Sequence, residues 1–367
     1  MTATDALALR MRSLLLAGAS STAPVRADSV AAVVTWFGAM QAQDYLSGLW
    51  SLGARLPAMT RTGIEDALER REAVRTWPMR GTIHLVPAAD ARWMVELLGA
   101  RALAGAARRR AEMGLDEATA QRAVDVLATA LVGGGRLTRA ECLAALTEAG
   151  IPVDGQRGYH LLGFASQRGV TCMAPNRGTE PTFVLLDEWV ADSNRPSRDA
   201  ALATIATRYV RSHGPVPRKD LAGWTGLTAT DTAAAVAAAG DALTTVDVDG
   251  VAMLVASEAL AGDPPPIRDT VLALPGYDEY LLGYKDRTLM VDPARAQAII
   301  PGGGAFRATI VRTGRVIGTW TRSGSAARTI VAVVPLEPLR SRDRRAVEAA
   351  FEPYAHFLGT PVRVRWP

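Results

Sequence analysis

Apolar residues recur every three or four positions through 5–17 and again through 28–39, which predicts two short amphipathic helices. Thr60 then stands where a threonine caps a helix running to about residue 71. Residues 74–86 switch to alternation around Gly81, the pattern of a short hairpin. Helices followed by a compact hairpin make a winged-helix unit. The order recurs: helices are predicted over 90–113 and 116–131, Thr138 and Glu141 form a capping box, another helix covers 158–167, and 170–175 with 182–186 makes a hairpin. A third copy has helices over 199–212 and 228–239, a restart after Gly214-Pro215, and strands 243–248 and 251–255 joined by Asp249-Gly250. Gly262-Asp263-Pro264-Pro265-Pro266 is a linker, because consecutive prolines continue neither a helix nor a central strand. Beyond it β-branched residues dominate 270–274, 306–311, 315–320 and 329–335, with one helix over 341–357 and a last strand over 361–366. The expected fold is therefore α+β: three tandem winged helix-turn-helix units over 1–98, 99–195 and 196–262, then a β-rich, barrel-like domain over 268–367.

One stretch does not fit the helical pattern that leads into it. Met40-Gln41-Ala42-Gln43-Asp44-Tyr45 contains two of the six glutamines in the chain, two residues apart. On a helix, positions i and i+2 diverge; on extended backbone they share a side. If both carboxamides serve one site, the helix that begins near Asp28 must loosen at about Met40.

Composition narrows the function by exclusion. A 49 % hydrophobic and 21 % charged chain is globular with a sizeable core. Leu14-Leu15-Leu16-Ala17-Gly18 is too short for a leader or a membrane span, so the chain is expected to be cytoplasmic and free of membrane. Cys142 and Cys172 are the only cysteines, and His84, His160, His213 and His356 show no ligand spacing with them, so no metal or cofactor is expected. The net charge of +4 permits nucleic-acid binding without arguing for it. No Gly-x-Ser-x-Gly elbow is present, and Gly133-Gly134-Gly135 and Gly302-Gly303-Gly304 lack the Lys-Ser/Thr of a phosphate loop, so both read as turns. Trp36, Trp50, Trp77 and Trp93 are expected in the core. Tyr277, Asp278, Glu279, Tyr280 and Tyr284 are candidates for the site's surroundings, with a structural role the commoner one for such residues.

The glutamine segment, together with Leu49-Trp50-Ser51-Leu52-Gly53-Ala54-Arg55-Leu56, Trp77-Pro78-Met79-Arg80-Gly81-Thr82-Ile83-His84-Leu85-Val86, Leu274-Pro275-Gly276-Tyr277-Asp278-Glu279-Tyr280-Leu281-Leu282-Gly283-Tyr284 and Gly314-Arg315-Val316-Ile317-Gly318-Thr319-Trp320, resembles the AlkZ-like winged-helix DNA glycosylases over almost the whole chain. The resemblance implies that Gln41 and Gln43 are the catalytic Gln-apolar-Gln element that excises N7-alkylated purines, bulky adducts and interstrand crosslinks included, as DNA repair or self-resistance. A neighbouring branch, resembling YcaQ, carries Asp in place of the second glutamine; Gln43 puts this chain on the AlkZ side, and Asp44 lies one position too late to substitute. The implied partner is double-stranded DNA carrying alkylated purines, met by a monomer without cofactor. Arg80 and His84 on the first wing, and Arg312 and Arg315 at a later hairpin tip, are the candidate DNA contacts. Two other classes use the same fold differently. A transcription regulator would read an operator and ignore lesions, and a drug-sequestering resistance protein would not depend on DNA.

Overall fold

The fold was obtained as a computed structural model, and it describes residues 1–17, 28–261, 269–325 and 328–367. The proline linker at 262–266 lies outside them. Most local expectations hold because they rest on local chemistry. Thr60 caps the helix Arg61–Glu69, Thr138 and Glu141 close the expected capping box, and Asp249-Gly250 turns one hairpin. Two long helices are instead broken. The span 90–113 divides at Gly99 and again at Ala106 into Ala91–Leu98, Ala100–Gly105 and Ala107–Glu112. The span 341–357 divides into Ser341–Ala349 and Glu352–Leu358, with Pro353 in the first turn of the second, where its missing N–H costs nothing.

Strands β1 (Met40–Gln41), β2 (Ala73–Met79), β3 (Thr82–Pro87), β4 (Leu137–Thr138), β5 (Thr171–Arg177) and β6 (Glu180–Leu185) form one sheet in the order β1-β3-β2-β5-β6-β4. The first two hairpins, expected as separate wings, are thus joined edge to edge where Arg75 pairs with Met173. Pairing removes two exposed strand edges at once. Strands β7 (Leu243–Val248) and β8 (Val251–Ala256) stand apart as the third hairpin. Strands β9 (Val271–Leu274), β10 (Ala308–Arg312), β11 (Arg315–Ser325), β12 (Arg328–Pro335) and β13 (Val362–Arg365) form a curled C-terminal half-barrel sheet, antiparallel except for the β12 and β13 pair.

One apolar core links the N-terminal helices, the helix Arg198–His213 and the C-terminal sheet, while a second fills the region around Leu127, Leu161 and Phe164. Trp36, Trp50, Trp77 and Trp93 are all buried, as expected. The Trp50 indole N–H donates to the Ala273 carbonyl at 2.8 Å, tying the helix Tyr45–Gly53 to β9. No helix among the described residues is long and apolar enough to cross a membrane.

Candidate active site

The helix Val30–Phe37 stops at Gly38, whose φ of +82° any side chain would resist. The backbone then extends, and Met40 and Gln41 pair with Leu85 and His84 of β3. This is the loosening that the glutamine spacing predicts. Alternation now separates the three residues: Ala42 is only 1 % exposed, whereas Gln41 is half-buried and Gln43 exposed. The Ala42 N–H donates to the Ile83 carbonyl at 2.9 Å, and the Ala42 carbonyl accepts from Arg75 Nη2 at 3.1 Å. Gly48 lies directly beneath Ala42, where a Cβ would come within 2.8 Å of the Ala42 Cβ. Gln41 Oε1 accepts the Gln43 N–H at 3.4 Å, which leaves the Gln41 NH₂ free to donate elsewhere. Asp44 caps the following helix by accepting the Ser47 N–H at 2.7 Å. The backbone of the motif is therefore held by its neighbours, and the carboxamides of the pair are left at the surface.

Beneath the pair lies a carboxylate, Glu279, one of the residues named from the sequence as candidates for the site's surroundings. Glu279 opens the short helix Glu279–Leu282, capped by Asp278, and is 1 % exposed. Burial alone would raise its pKa, but the His213 hydrogen bond and charge, with the Gln41 and Trp224 N–H groups, outweigh it and bring the pKa down to about 2. His84, paired with Gln41 across the strands, is also wholly buried. Its Nδ1 lies 2.9 Å from the Thr82 carbonyl and its Nε2 3.3 Å from Arg80 Nη2, a pattern that the neutral ring satisfies by donating at the first and accepting at the second. Burial, reinforced by the Arg80 charge, pushes its pKa down to about 4, although Glu279 pulls the other way. The ring is thus neutral at physiological pH.

The four candidate DNA contacts are placed very differently. Arg80 sits in the β2–β3 turn at φ +55°, exposed on one side and walled by protein on the other; that burial lowers its pKa, Glu279 opposing. It also lines a cleft of about 270 Å³ with Trp77, Arg110, Tyr159, His160 and Gln167. His84 offers no accessible surface, so a duplex cannot reach it directly; its Nε2 lies 3.3 Å from Arg80 Nη2. Arg312 is engaged by Asp269 at 2.8 Å and by Asp343 at 2.7 Å, and the hairpin tip beside it is docked, with Gly314 against Leu7 and its carbonyl accepting from the Tyr280 hydroxyl at 2.7 Å. Arg315, next along, is exposed. Of the four, His84 pairs with the glutamine strand directly and Arg80 reaches it through His84, whereas Arg312 and Arg315 lie on the C-terminal sheet.

A family model described as DNA glycosylase AlkZ-like matches residues 34–357, a span that includes the glutamine strand, His84 and Glu279. The chain belongs to the AlkZ-like DNA glycosylase family. It is similar to an interstrand DNA cross-link repair glycosylase of Streptomyces sahachiroi, 29 % identical over 299 residues, or 77 % of this chain and 79 % of that protein. The solved structure of Streptomyces sahachiroi DNA glycosylase AlkZ shares the fold, with a TM-score of 0.80 over 100 % of both chains at 24 % identity. As an AlkZ-like protein the chain is an enzyme that acts on DNA.

Proposed function

We propose that this AlkZ-like chain is a monofunctional glycosylase that hydrolyses the N-glycosidic bond of N7-alkylated purines in double-stranded DNA, with Gln41 and Gln43 as the catalytic pair. Bulky adducts and interstrand crosslinks fall within the proposed scope, in keeping with the name of the Streptomyces relative. The proposal keeps the division into three winged-helix units and a β-rich domain, acting as a monomer that arches over the duplex. The observation that carries it is the Gln41-Ala42-Gln43 segment, which leaves the strand Met40–Gln41 with its alanine locked inward and its carboxamides toward the surface.

The chemistry suits amides. Alkylation at N7 makes the purine cationic, so N9 departs with the bonding electron pair and needs no proton. Water adds to C1′ as the sugar develops oxocarbenium character, loses a proton to solvent, and leaves an abasic site and the free base. A carboxamide offers an acceptor and two donors, enough to hold that water in line, and positioning alone can supply several kcal/mol. Gln43, the more exposed, is assigned the water. Gln41, whose oxygen already accepts the Gln43 N–H, is assigned the nucleobase or sugar through its NH₂. The site's buried carboxylate, Glu279, is ionised and therefore no proton donor, which agrees with a leaving group that requires none.

The test is single-turnover release of N7-methylguanine from a duplex oligonucleotide by wild type, Gln41→Ala and Gln43→Ala, each checked for folding. Release that both substitutions slow by about 100-fold supports the assignment. Absence of release from this lesion, from a bulky N7 adduct and from a crosslink would return the protein to the winged-helix regulators.

A further inference from the structure

Glu279 is a costly residue to keep. Burying a carboxylate loses its hydration, and core filling alone would favour an apolar side chain of similar volume. Its two oxygens are shared between distant parts of the chain: Oε1 accepts the Gln41 backbone N–H at 2.9 Å, while Oε2 accepts the Trp224 indole N–H at 2.9 Å and lies 3.3 Å from His213 Nε2. Donors therefore approach both sides of the carboxylate. A neutral amide at the same position presents an acceptor to one side only, and turns its NH₂ against a donor on the other.

The segment that delivers Glu279 is itself constrained. Tyr277 holds a φ of +63°, a conformation that side chains resist and that persists only where the surroundings over-determine it. Asp278 is gripped by Ser51 of the helix that follows the glutamines and by Arg55 in the turn just after that helix. The two residues before Glu279 are thus fixed, and its Oε1 accepts the first backbone N–H of the Gln-Ala-Gln segment.

We infer that Glu279 is a positioning residue for base excision: its carboxylate, seated on Trp224 and His213, holds the Gln41 backbone and thereby aims the carboxamide pair at the lesion. The inference rests on the glycosylase reading and adds to it a residue 238 positions away from the pair. A displacement of about 1 Å at Gln41 would be enough to slow the reaction about 100-fold without loosening the grip on DNA.

The experiment compares wild type with Glu279→Gln and Glu279→Asp, measuring the single-turnover rate on the N7-methylguanine duplex, the affinity for that duplex, and Tm. Leu127→Ala, a cavity variant in the second core, controls for lost stability. The expected result is a rate about 30- to 100-fold lower for Glu279→Gln, with affinity within about threefold and with Leu127→Ala retaining its rate at a comparable drop in Tm. Should Glu279→Gln not fold, Glu279→Asp, which keeps the charge but draws it back from Gln41, is expected to show the same split between rate and affinity. A wild-type rate in a folded Glu279→Gln, rate and affinity falling together in that variant, or an equal loss of rate in Leu127→Ala at the same drop in Tm, would overturn the inference. If wild type itself releases no base, the glycosylase reading fails separately; the Gln41 amide proton then decides this one by NMR. Its resonance moves upfield in the Glu279 variants if the carboxylate holds it, and an unchanged resonance rejects the role.

Discussion

The Arg55 guanidinium meets the Asp278 carboxylate in a two-pronged contact, Nη1 to Oδ2 at 2.8 Å and Nη2 to Oδ1 at 2.9 Å, with both side chains buried. Two further donors of Arg55 are used as well, Nε on the Leu14 carbonyl and Nη1 also on the Ser51 carbonyl. This pair clamps the turn that ends the helix after the glutamines to the helix that carries Glu279. Removing one partner leaves the other buried and uncompensated, so Arg55→Ala is expected to cost about 3–5 kcal/mol. Arg55→Lys, which cannot fork onto two oxygens, should recover only part of that. Denaturant unfolding of the two variants checks both statements, and a loss below about 1 kcal/mol for Arg55→Ala would reject the clamp.

Gly48 leaves the space into which Ala42 fits. A methyl added there would lie 2.8 Å from the Ala42 Cβ and 3.0 Å from its Cα, and helix backbone gives way poorly. Overpacking of this kind typically costs about 1–3 kcal/mol, partly offset by the better helix propensity of alanine. The expected effect of Gly48→Ala is a small drop in Tm with a base-release rate at least about tenfold lower, since the push falls on the residue between the glutamines. A normal rate would mean that the segment tolerates displacement.

Two buried groups make the fold acid-sensitive in adjoining windows. His84 is held neutral, its pKa brought to about 4 by burial and by Arg80, whereas the unfolded chain takes up that proton near 6.5; stability therefore falls as pH drops from 6.5 to 4. Glu279 is held ionised at about 2 against 4.5 when unfolded, so its contribution is complete above 4.5 and is lost as pH falls from there toward 2. Each amounts to about 3 kcal/mol by linkage. Unfolding curves between pH 8 and 3 should be flat above pH 7 and decline below it. His84→Asn should flatten the upper window and Glu279→Gln the lower one.

Arg80 and Arg312 should separate in DNA binding. Arg80 is exposed beside the glutamine strand, so Arg80→Ala is expected to weaken duplex affinity and lower the slope against salt concentration by about 1. Arg312 is already paired with Asp269 and Asp343, both in partly solvated positions. Arg312→Ala is expected to cost at most about 1 kcal/mol of stability and leave the salt slope unchanged. Titrations at several salt concentrations distinguish the two.

The thiols should be silent in the folded protein. Burial, with the neighbouring Glu141 charge, pushes Cys142 up to about 12, and burial pushes Cys172 higher still. Neither is expected to react with iodoacetamide at pH 8 until denaturant is added. Rapid alkylation of the native protein, read by mass spectrometry, would show that one of these regions opens.

The elements readable from the sequence are those whose cause lies within a few residues. The Thr138 and Glu141 capping box, the Asp249-Gly250 turn and the loosening of the chain before Gln41 each depend on neighbours along the backbone, and each is present. The glutamine pair was visible for the same reason, since its spacing conflicts with the helix that precedes it. Glycine and proline breaks at Gly99 and Pro353 were written in the sequence too, but apolar periodicity carried the helices across them.

The rest depended on contacts between residues far apart, where no local pattern records the partner. Arg75 meets Met173 and so fuses two hairpins into one sheet. His84, on a hairpin that local alternation describes well, is wholly buried, with Arg80 and the carboxylate of Glu279 beside it. The β10–β11 tip looks free in the sequence and is docked on Leu7 in the fold. Asp278-Glu279 could be noticed as an acidic pair among tyrosines, but nothing in its own segment names Arg55 or Gln41. By itself the sequence determined most of the caps, turns and strand positions, the family resemblance and the identity of the two carboxamides, because capping, turn and alternation energies act over a few residues. Only the tertiary structure decided which charges are buried and what they hold, because the solvation cost of a carboxylate or an imidazole is set by everything packed around it.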